Sequence, residues 1–172
     1  MASILLKIFN RLLLVVILCL LLFFTSSNIQ SWNDASRLAT VEQLVESNTF
    51  VIDNSSIKTG DKVFIDGRFY SDKPPVFSLI ISLPYFILHK FGLNFSNSSG
   101  LIIYLTTIFS SVMPFILFFS LLYYFLLKYT KLEKEKTLLL VLTLSIGTSL
   151  LPYATILNNH LFAGVSSGIA LL

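Results

Sequence analysis

Apolar residues in this chain are gathered into long blocks, and one long polar stretch, Trp32 to Pro75, separates the first block from the rest. The first block runs from Leu12 to Phe24 behind Lys7 and Arg11. At 1.5 Å per residue it covers about 20 Å, and it reaches spanning length if the helix begins near Ile4 and the two basic side chains snorkel. Residues 1–24 are therefore expected to form a transmembrane helix. A cleavable signal peptide is the rival, but Thr25-Ser26-Ser27-Asn28 offers no small-residue cleavage pattern. The block Val76–Leu88 is short, contains Pro84, is entered through Pro74-Pro75 and ends at His89-Lys90. That pattern predicts an interfacial helix over 76–89 rather than a span. Leu101–Leu127 predicts a transmembrane helix over 100–127, since Pro114 is tolerated inside a membrane helix. A basic loop follows at 128–136, then a transmembrane helix over 137–157. Residues 161–172 start a further helix of about 18 Å, shorter than the hydrocarbon core of about 30 Å. The expectation is an N-terminal piece of a longer polytopic protein.

Inside the polar stretch, Leu38, Val41 and Val45 recur at helical spacing, with Leu44 beside them, while Glu42 and Glu46 share another face. This predicts an amphipathic helix over 35–46, capped by Asn33 or Asp34 and lying against the membrane surface or the span bundle, with Glu42, Glu46 and Asp53 facing water. Val63-Phe64-Ile65 and Arg68-Phe69-Tyr70 flank Asp66-Gly67, a strong two-residue turn signal, and predict a hairpin over 63–70. The hairpin leads into Tyr70-Ser71-Asp72-Lys73-Pro74-Pro75, whose prolines bias Lys73 towards an extended backbone and hold its ammonium near the membrane surface.

Composition narrows the class. The chain is 55% hydrophobic and 12% charged, and that charge fraction is about half the usual value for a soluble domain. With the apolar blocks, this marks an integral membrane protein. The single cysteine, Cys19, rules out a disulfide framework or a cysteine metal site within the chain. The net charge of +3 matters less than its placement. Lys7 and Arg11 set the N-terminus in the cytoplasm, and Lys128, Lys131, Lys134 and Lys136 sit on the same side only if 76–89 does not span. Residues 25–99 are then extracytoplasmic, as is the turn at Asn158-Asn159-His160. The lysines read as a topology signal, and nucleic acid is not an expected partner.

The order of these features carries a resemblance. A first span, an Asp34-x-x-Arg37 opening a helix, a hairpin, then Tyr70-x-Asp72-Lys73-Pro74-Pro75 and an apolar helix together resemble the N-terminal part of the polyprenyl-phosphate-sugar-dependent glycosyltransferases of the GT-C fold. The similarity is greatest to the bacterial group related to protein O-mannosyltransferases and lipid A aminoarabinose transferases, glycosyltransferase family 39. It covers the whole of this chain and only the N-terminal part of a typical member. It implies an all-α polytopic helix bundle in the bacterial inner membrane, with an extracytoplasmic first loop carrying amphipathic helices and a small hairpin.

Function follows as an expectation of the same resemblance: transfer of a sugar from a polyprenyl-phosphate donor to an extracytoplasmic acceptor, with inversion at the anomeric carbon. Asp34 matches the family's catalytic base or metal-associated carboxylate. Arg37 matches the arginine after it, Lys73 the lysine that approaches the lipid phosphate, and Tyr70 the aromatic before that lysine. Two positions depart from the pattern. Leu38 stands where many relatives have tyrosine, and Asn158-Asn159-His160 stands where some members place a second acidic residue. A divalent metal therefore stays open, and His160 is a candidate for acceptor binding or acid–base work.

The chemistry is sound on its own terms. Cations at the interface can neutralise charge developing on a leaving lipid phosphate, and a carboxylate can take the proton of an attacking hydroxyl. Each residue also has a plainer role: Asp34 as a helix cap, Arg37 pairing with Asp34 across a turn, Lys73 as an interfacial anchor, Tyr70 as hairpin packing and His160 in a structural hydrogen bond. The whole-chain alternatives are a non-catalytic polytopic protein, such as a lipid-binding or transport subunit, or an inactive remnant.

Overall fold

A computed structural model describes residues 2–172. In chain order its elements are α1 (Ala2–Phe24), α2 (Trp32–Ser47), β1 (Lys62–Ile65), β2 (Arg68–Ser71), α3 (Pro75–Lys90), α4 (Phe95–Thr107), a π-helical turn (Ile108–Val112), α5 (Met113–Tyr129), α6 (Lys134–Gly147), α7 (Leu150–Ala154) and α8 (Asn159–Leu171). The protein is thus mostly helical, and two helical stretches, Ile4–Phe24 and Phe95–Tyr129, are long and apolar enough to cross a membrane. The chain divides into two compact units: the segment ending at Thr25 together with Ser111–Leu172, and Ser26–Ser110.

In the first unit α6 packs on α1 and α5, and α8 packs on α5. On α1, Asn10, Ile17 and Leu21 are buried, while Ile4, Leu5, Phe9, Leu12 and Val15 remain exposed. Asn10 ties α1 to α6: its amide donates to the Glu135 carbonyl at 2.8 Å and to the Glu135 carboxylate at 3.1 Å. On α8, a Cβ at Gly168 would lie 2.5 Å from the Phe118 ring, so the glycine is what lets the two helices approach.

Prolines explain where the long helices depart from expectation. The helix anticipated over 100–127 runs from 95 to 129 and is irregular. Ser98 leaves helical geometry (φ −144, ψ 32), and the π turn at Ile108–Val112 ends just before Pro114. A proline lacks the N–H and presses its ring on the carbonyl four residues back, and the widened turn relieves that conflict. The single helix anticipated over 137–157 is a correction. It stops at Gly147, Thr148 is extended (φ −114, ψ 159), and the chain restarts as α7. Pro152 is the third residue of α7, where no N–H is needed. In an unbroken helix it would clash with the Thr148 carbonyl. The segment anticipated from 161 begins at Asn159, with Asn158 as its cap: Oδ1 accepts from the Leu161 N–H at 3.0 Å.

The second unit is built around α2. Every residue from Asp34 to Gln43 is buried, so all faces of the helix are covered, chiefly by α3 and β2. The amphipathic helix expected over 35–46, lying against the membrane surface or the span bundle with a wet face, is thereby corrected: α2 is an enclosed helix in which Ser36, Thr40 and Glu42 find partners inside the unit. Glu42, expected on a wet face, is 3% exposed. Its carboxylate accepts from the Ser55 hydroxyl at 2.5 Å, from the Ser56 N–H at 2.8 Å and from the Ser56 hydroxyl. Asp53 is exposed, as expected, and accepts the Phe69 N–H at 2.9 Å.

β1 and β2 pair antiparallel with Val63 opposite Tyr70 and Ile65 opposite Arg68. Asp66 and Gly67 both take positive φ (48 and 81), the turn geometry that matches the twist of a two-residue hairpin. α3 begins at Pro75 and has 16 residues, about 24 Å, short of a bilayer core. It buries Phe77, Ser78, Ile81 and Tyr85, and the Tyr85 hydroxyl donates to Glu46 on α2. Its other side exposes Val76, Leu79, Leu83, Phe86 and Ile87. The helix is therefore apolar on two faces, one used by the unit and one left outward.

Candidate functional site

The start of α2 is fixed by Ser31, not by Asn33 or Asp34 as expected. Ser31 is extended (φ −153, ψ 163), and its hydroxyl accepts from the Asp34 N–H at 3.2 Å. Asp34 thus becomes the third residue of the helix, an acidic group at the positive end of the helix dipole. It is 7% exposed. Burial pushes its carboxyl above the usual value, against hydrogen bonding to Ser31 and the Gln30 backbone and the charge of Arg37, which pull it down.

Arg37 lies one turn further on and is also buried. Its Nη1 donates to the Asn33 carbonyl at 3.3 Å. Burial lowers its pKa from the usual value, opposed by Asp34, then Asp72 and Asp61. A guanidinium tolerates this and remains a cation. Arg37 therefore sits in the fields of three carboxylates, one on its own helix and two from the hairpin.

Those two carboxylates hold the lysine. Lys73 Nζ lies 3.0 Å from Asp72 and 3.1 Å from Asp61. Hydrogen bonds to Asp72 and then Asp61 raise its pKa above the usual lysine value. A serine pair sets this geometry. The Ser36 hydroxyl, on α2, donates to the Asp61 carbonyl at 2.6 Å and is 2.6 Å from the Ser71 hydroxyl, while the Lys73 N–H donates to Ser71 at 3.2 Å. One proton assignment satisfies all three bonds: Ser36 gives its proton to Asp61, and Ser71 gives its proton to Ser36 and accepts from Lys73.

Asp34, Arg37 and Lys73 thus belong to one chain of alternating charges, Asp34–Arg37–Asp61/Asp72–Lys73. Tyr70 stands beside it: with Lys73, Thr40, Phe50 and Pro75 it lines a groove of about 350 Å³ at the hairpin exit. Its backbone is bridged to Val51 and paired to Val63. His160 belongs to the first unit. It is exposed on the first turn of α8 with its ring 6.1 Å from that of Tyr153, so the charged cluster is built without it. The neighbouring Asn158 donates to the Tyr153 and Ile156 carbonyls at 2.9 and 3.2 Å.

Among the described residues, no group of three or more His, Cys, Asp or Glu side chains is placed to hold a metal ion. Asp61 and Asp72 come together, but around an ammonium. Sequence reasoning did not single out Ser36, Asp61 or Ser71. The register offered a signal: extending the pairing of Lys62 with Ser71 by one step sets Asp61 opposite Asp72, and two facing carboxylates call for a cation. Comparison with protein-family models, with curated proteins and with solved structures gave no match to this chain.

Proposed function

We propose that the chain carries the donor-side active site of a membrane glycosyltransferase that uses a polyprenyl-phosphate-linked sugar, within a GT-C-like helix bundle. The observation that carries this reading is the buried, raised-pKa Asp34 beside the buried cation Arg37, linked through Asp61 and Asp72 to Lys73. Asp34 takes the proton of the acceptor hydroxyl as its oxygen attacks the anomeric carbon. The bond from that carbon to the phosphate oxygen breaks, its electron pair leaves with the lipid phosphate, and configuration inverts. A carboxylate raised by burial is a better base for this step than a solvated one. Arg37 and Lys73 neutralise the leaving phosphate, for which Lys73 exchanges a carboxylate for a phosphate oxygen.

The membrane setting has its own support. α1 leaves a series of large apolar side chains exposed, and α3 presents Val76, Leu79, Leu83, Phe86 and Ile87 outward on a helix too short to span. In a bilayer these are a span and an interfacial helix. The basic residues at 7, 11 and 128–136 then face the cytoplasm, and residues 25–99 face the outside of a bacterial inner membrane.

The test is release of polyprenyl phosphate from a polyprenyl-phosphate-sugar donor in reconstituted membranes. Asp34→Asn is expected to lower turnover by about a hundredfold or more. Unchanged turnover removes Asp34 as the base. A non-catalytic lipid-binding role has one observation in its favour: the Lys73 ammonium is already neutralised by Asp61 and Asp72, as in a purely structural tie. That reading requires lipid binding to survive Lys73→Ala.

A further inference from the structure

A cavity of about 590 Å³ in the second unit opens at the start of α2, and none of Asp34, Arg37, Asp61, Asp72 or Lys73 lines it. Its volume lies in the range of small-molecule sites, about 300–1,000 Å³. Phe95 and Ile103, both buried, give it an apolar floor. Ser56, Ser99 and Lys58 give it a polar rim, and its lining includes no carboxylate. Trp32 completes the wall and is 60% exposed. This exposed indole is not loose: Gly60 lies against it, and the Thr59 hydroxyl donates to the Trp32 carbonyl at 3.1 Å.

A large aromatic surface left open to solvent, held from behind and bordered by hydroxyls and an ammonium, suits one kind of ligand. A pyranose ring has a face of C–H bonds carrying slight positive charge and an edge of hydroxyl groups. The C–H face stacks on the electron-rich face of an indole, and the hydroxyls exchange hydrogen bonds with the rim. Lys58 donates to the Ser55 carbonyl at 3.3 Å, which leaves two of its N–H groups for a ligand, and Ser56, held by Glu42, can still accept. A purely apolar ligand would leave Lys58 and Ser99 unused, and a bare phosphate would leave the indole and the apolar floor unused. We infer that this cavity is a saccharide-binding site in which a sugar ring stacks on Trp32, and that Lys58 makes it prefer an acidic sugar to a basic one. The inference does not depend on the transfer reaction, because a non-catalytic protein could use the same cavity.

Trp32 is the one tryptophan of the chain, so tryptophan emission, excited selectively over tyrosine, comes from the wall of this cavity. The experiment titrates the full chain, in a detergent without a sugar headgroup, with glucuronic acid, glucose and glucosamine. The expected result is a saturable emission change with affinity falling in that order. Lys58→Gln, an exposed position, brings glucuronic acid down to the level of glucose, a loss of about tenfold. Ser99→Leu fills the cavity and abolishes the response to all three sugars, with circular dichroism verifying an unchanged fold. Absence of any saturable response overturns the inference, as does a response that survives Ser99→Leu or an order unaffected by Lys58→Gln. An emission shift on adding phosphatidylglycerol vesicles, with no response to sugars, also overturns it and makes Trp32 an interfacial anchor.

Discussion

Ser36 and Ser71 lie 35 positions apart, and their hydroxyl oxygens are 2.6 Å from each other. One is on the buried helix that carries Asp34 and Arg37, the other on the strand that delivers Lys73. Together with the Ser36 bond to the Asp61 carbonyl, the pair fixes both ends of the hairpin to α2. Ser36→Ala leaves the Asp61 carbonyl and the Ser71 hydroxyl without these bonds, at a cost of about 1–3 kcal/mol. A lowered thermal midpoint in detergent is the expected reading. An unchanged midpoint means the hairpin is held by other contacts.

Glu42 gives a sharper stability prediction, because its three hydrogen bonds all come from Ser55 and Ser56. Glu42→Ala strands the buried Ser55 hydroxyl, Ser55 being 2% exposed, and is expected to cost about 3 kcal/mol, the scale of bonds to a charged group. Glu42→Gln keeps an acceptor and loses less. The loop that the carboxylate clasps opens first, so limited proteolysis between α2 and β1 accelerates in Glu42→Ala well before the helices unfold. Equal proteolysis of both variants and the wild type contradicts the clasp.

These two sites also show where the sequence was legible. The hairpin turn could be read because Asp66-Gly67 demands positive φ, and α3 because Pro74-Pro75 opens an apolar run. Neither signal depends on tertiary contacts. The burial of α2 could not be read from its pattern, since Ser36, Arg37, Thr40 and Glu42 look like a wet face until their partners are known. The partners of Ser36 and Glu42 come from residues 13 to 35 positions away, at Ser55, Asp61 and Ser71, and Ser78, 41 positions on, donates to the Arg37 carbonyl. The break before α7 was legible in principle, because Pro152 suits the first turn of a helix and disrupts the interior of one. Asp34, Arg37, Tyr70, Asp72 and Lys73 could be read from their order, and the structure adds Asp61, which joins Asp72 in holding Lys73.

The Lys73 ammonium bound to two carboxylates supplies a prediction that separates a structural tie from a phosphate site. Asp61→Asn with Asp72→Asn removes both negative partners and leaves the ammonium available. Binding of polyprenyl phosphate to the protein in nanodiscs is then expected to tighten, and Lys73→Ala to weaken it, with both effects shrinking as salt rises. If the double substitution weakens binding as much as Lys73→Ala does, the acids are needed to position the lysine. Equal binding in all three proteins makes the cluster structural only.

Asp34 joins stability and chemistry in one measurement. Its carboxyl is raised from a usual value of 3.8, chiefly by burial. Between that value and the raised one, the folded chain keeps a proton that the unfolded chain has released. Stability therefore falls as pH climbs through this window and stays lower above it. Asp34→Asn removes the buried charge while keeping an acceptor for Ser31. The variant is expected to match the wild type in acid below the usual carboxylate value and to be the more stable protein at neutral pH, with a flatter pH profile between. It is also the substitution expected, on the proposed function, to slow sugar transfer by about a hundredfold or more. A helix cap alone predicts the opposite stability result, because losing a carboxylate from the first turn of α2 then weakens the helix at neutral pH. Thermal midpoints of the two proteins measured from pH 3 to pH 8, a range of about five units centred above the ordinary carboxylate pKa, decide between a carboxylate strained for chemistry and one placed for folding.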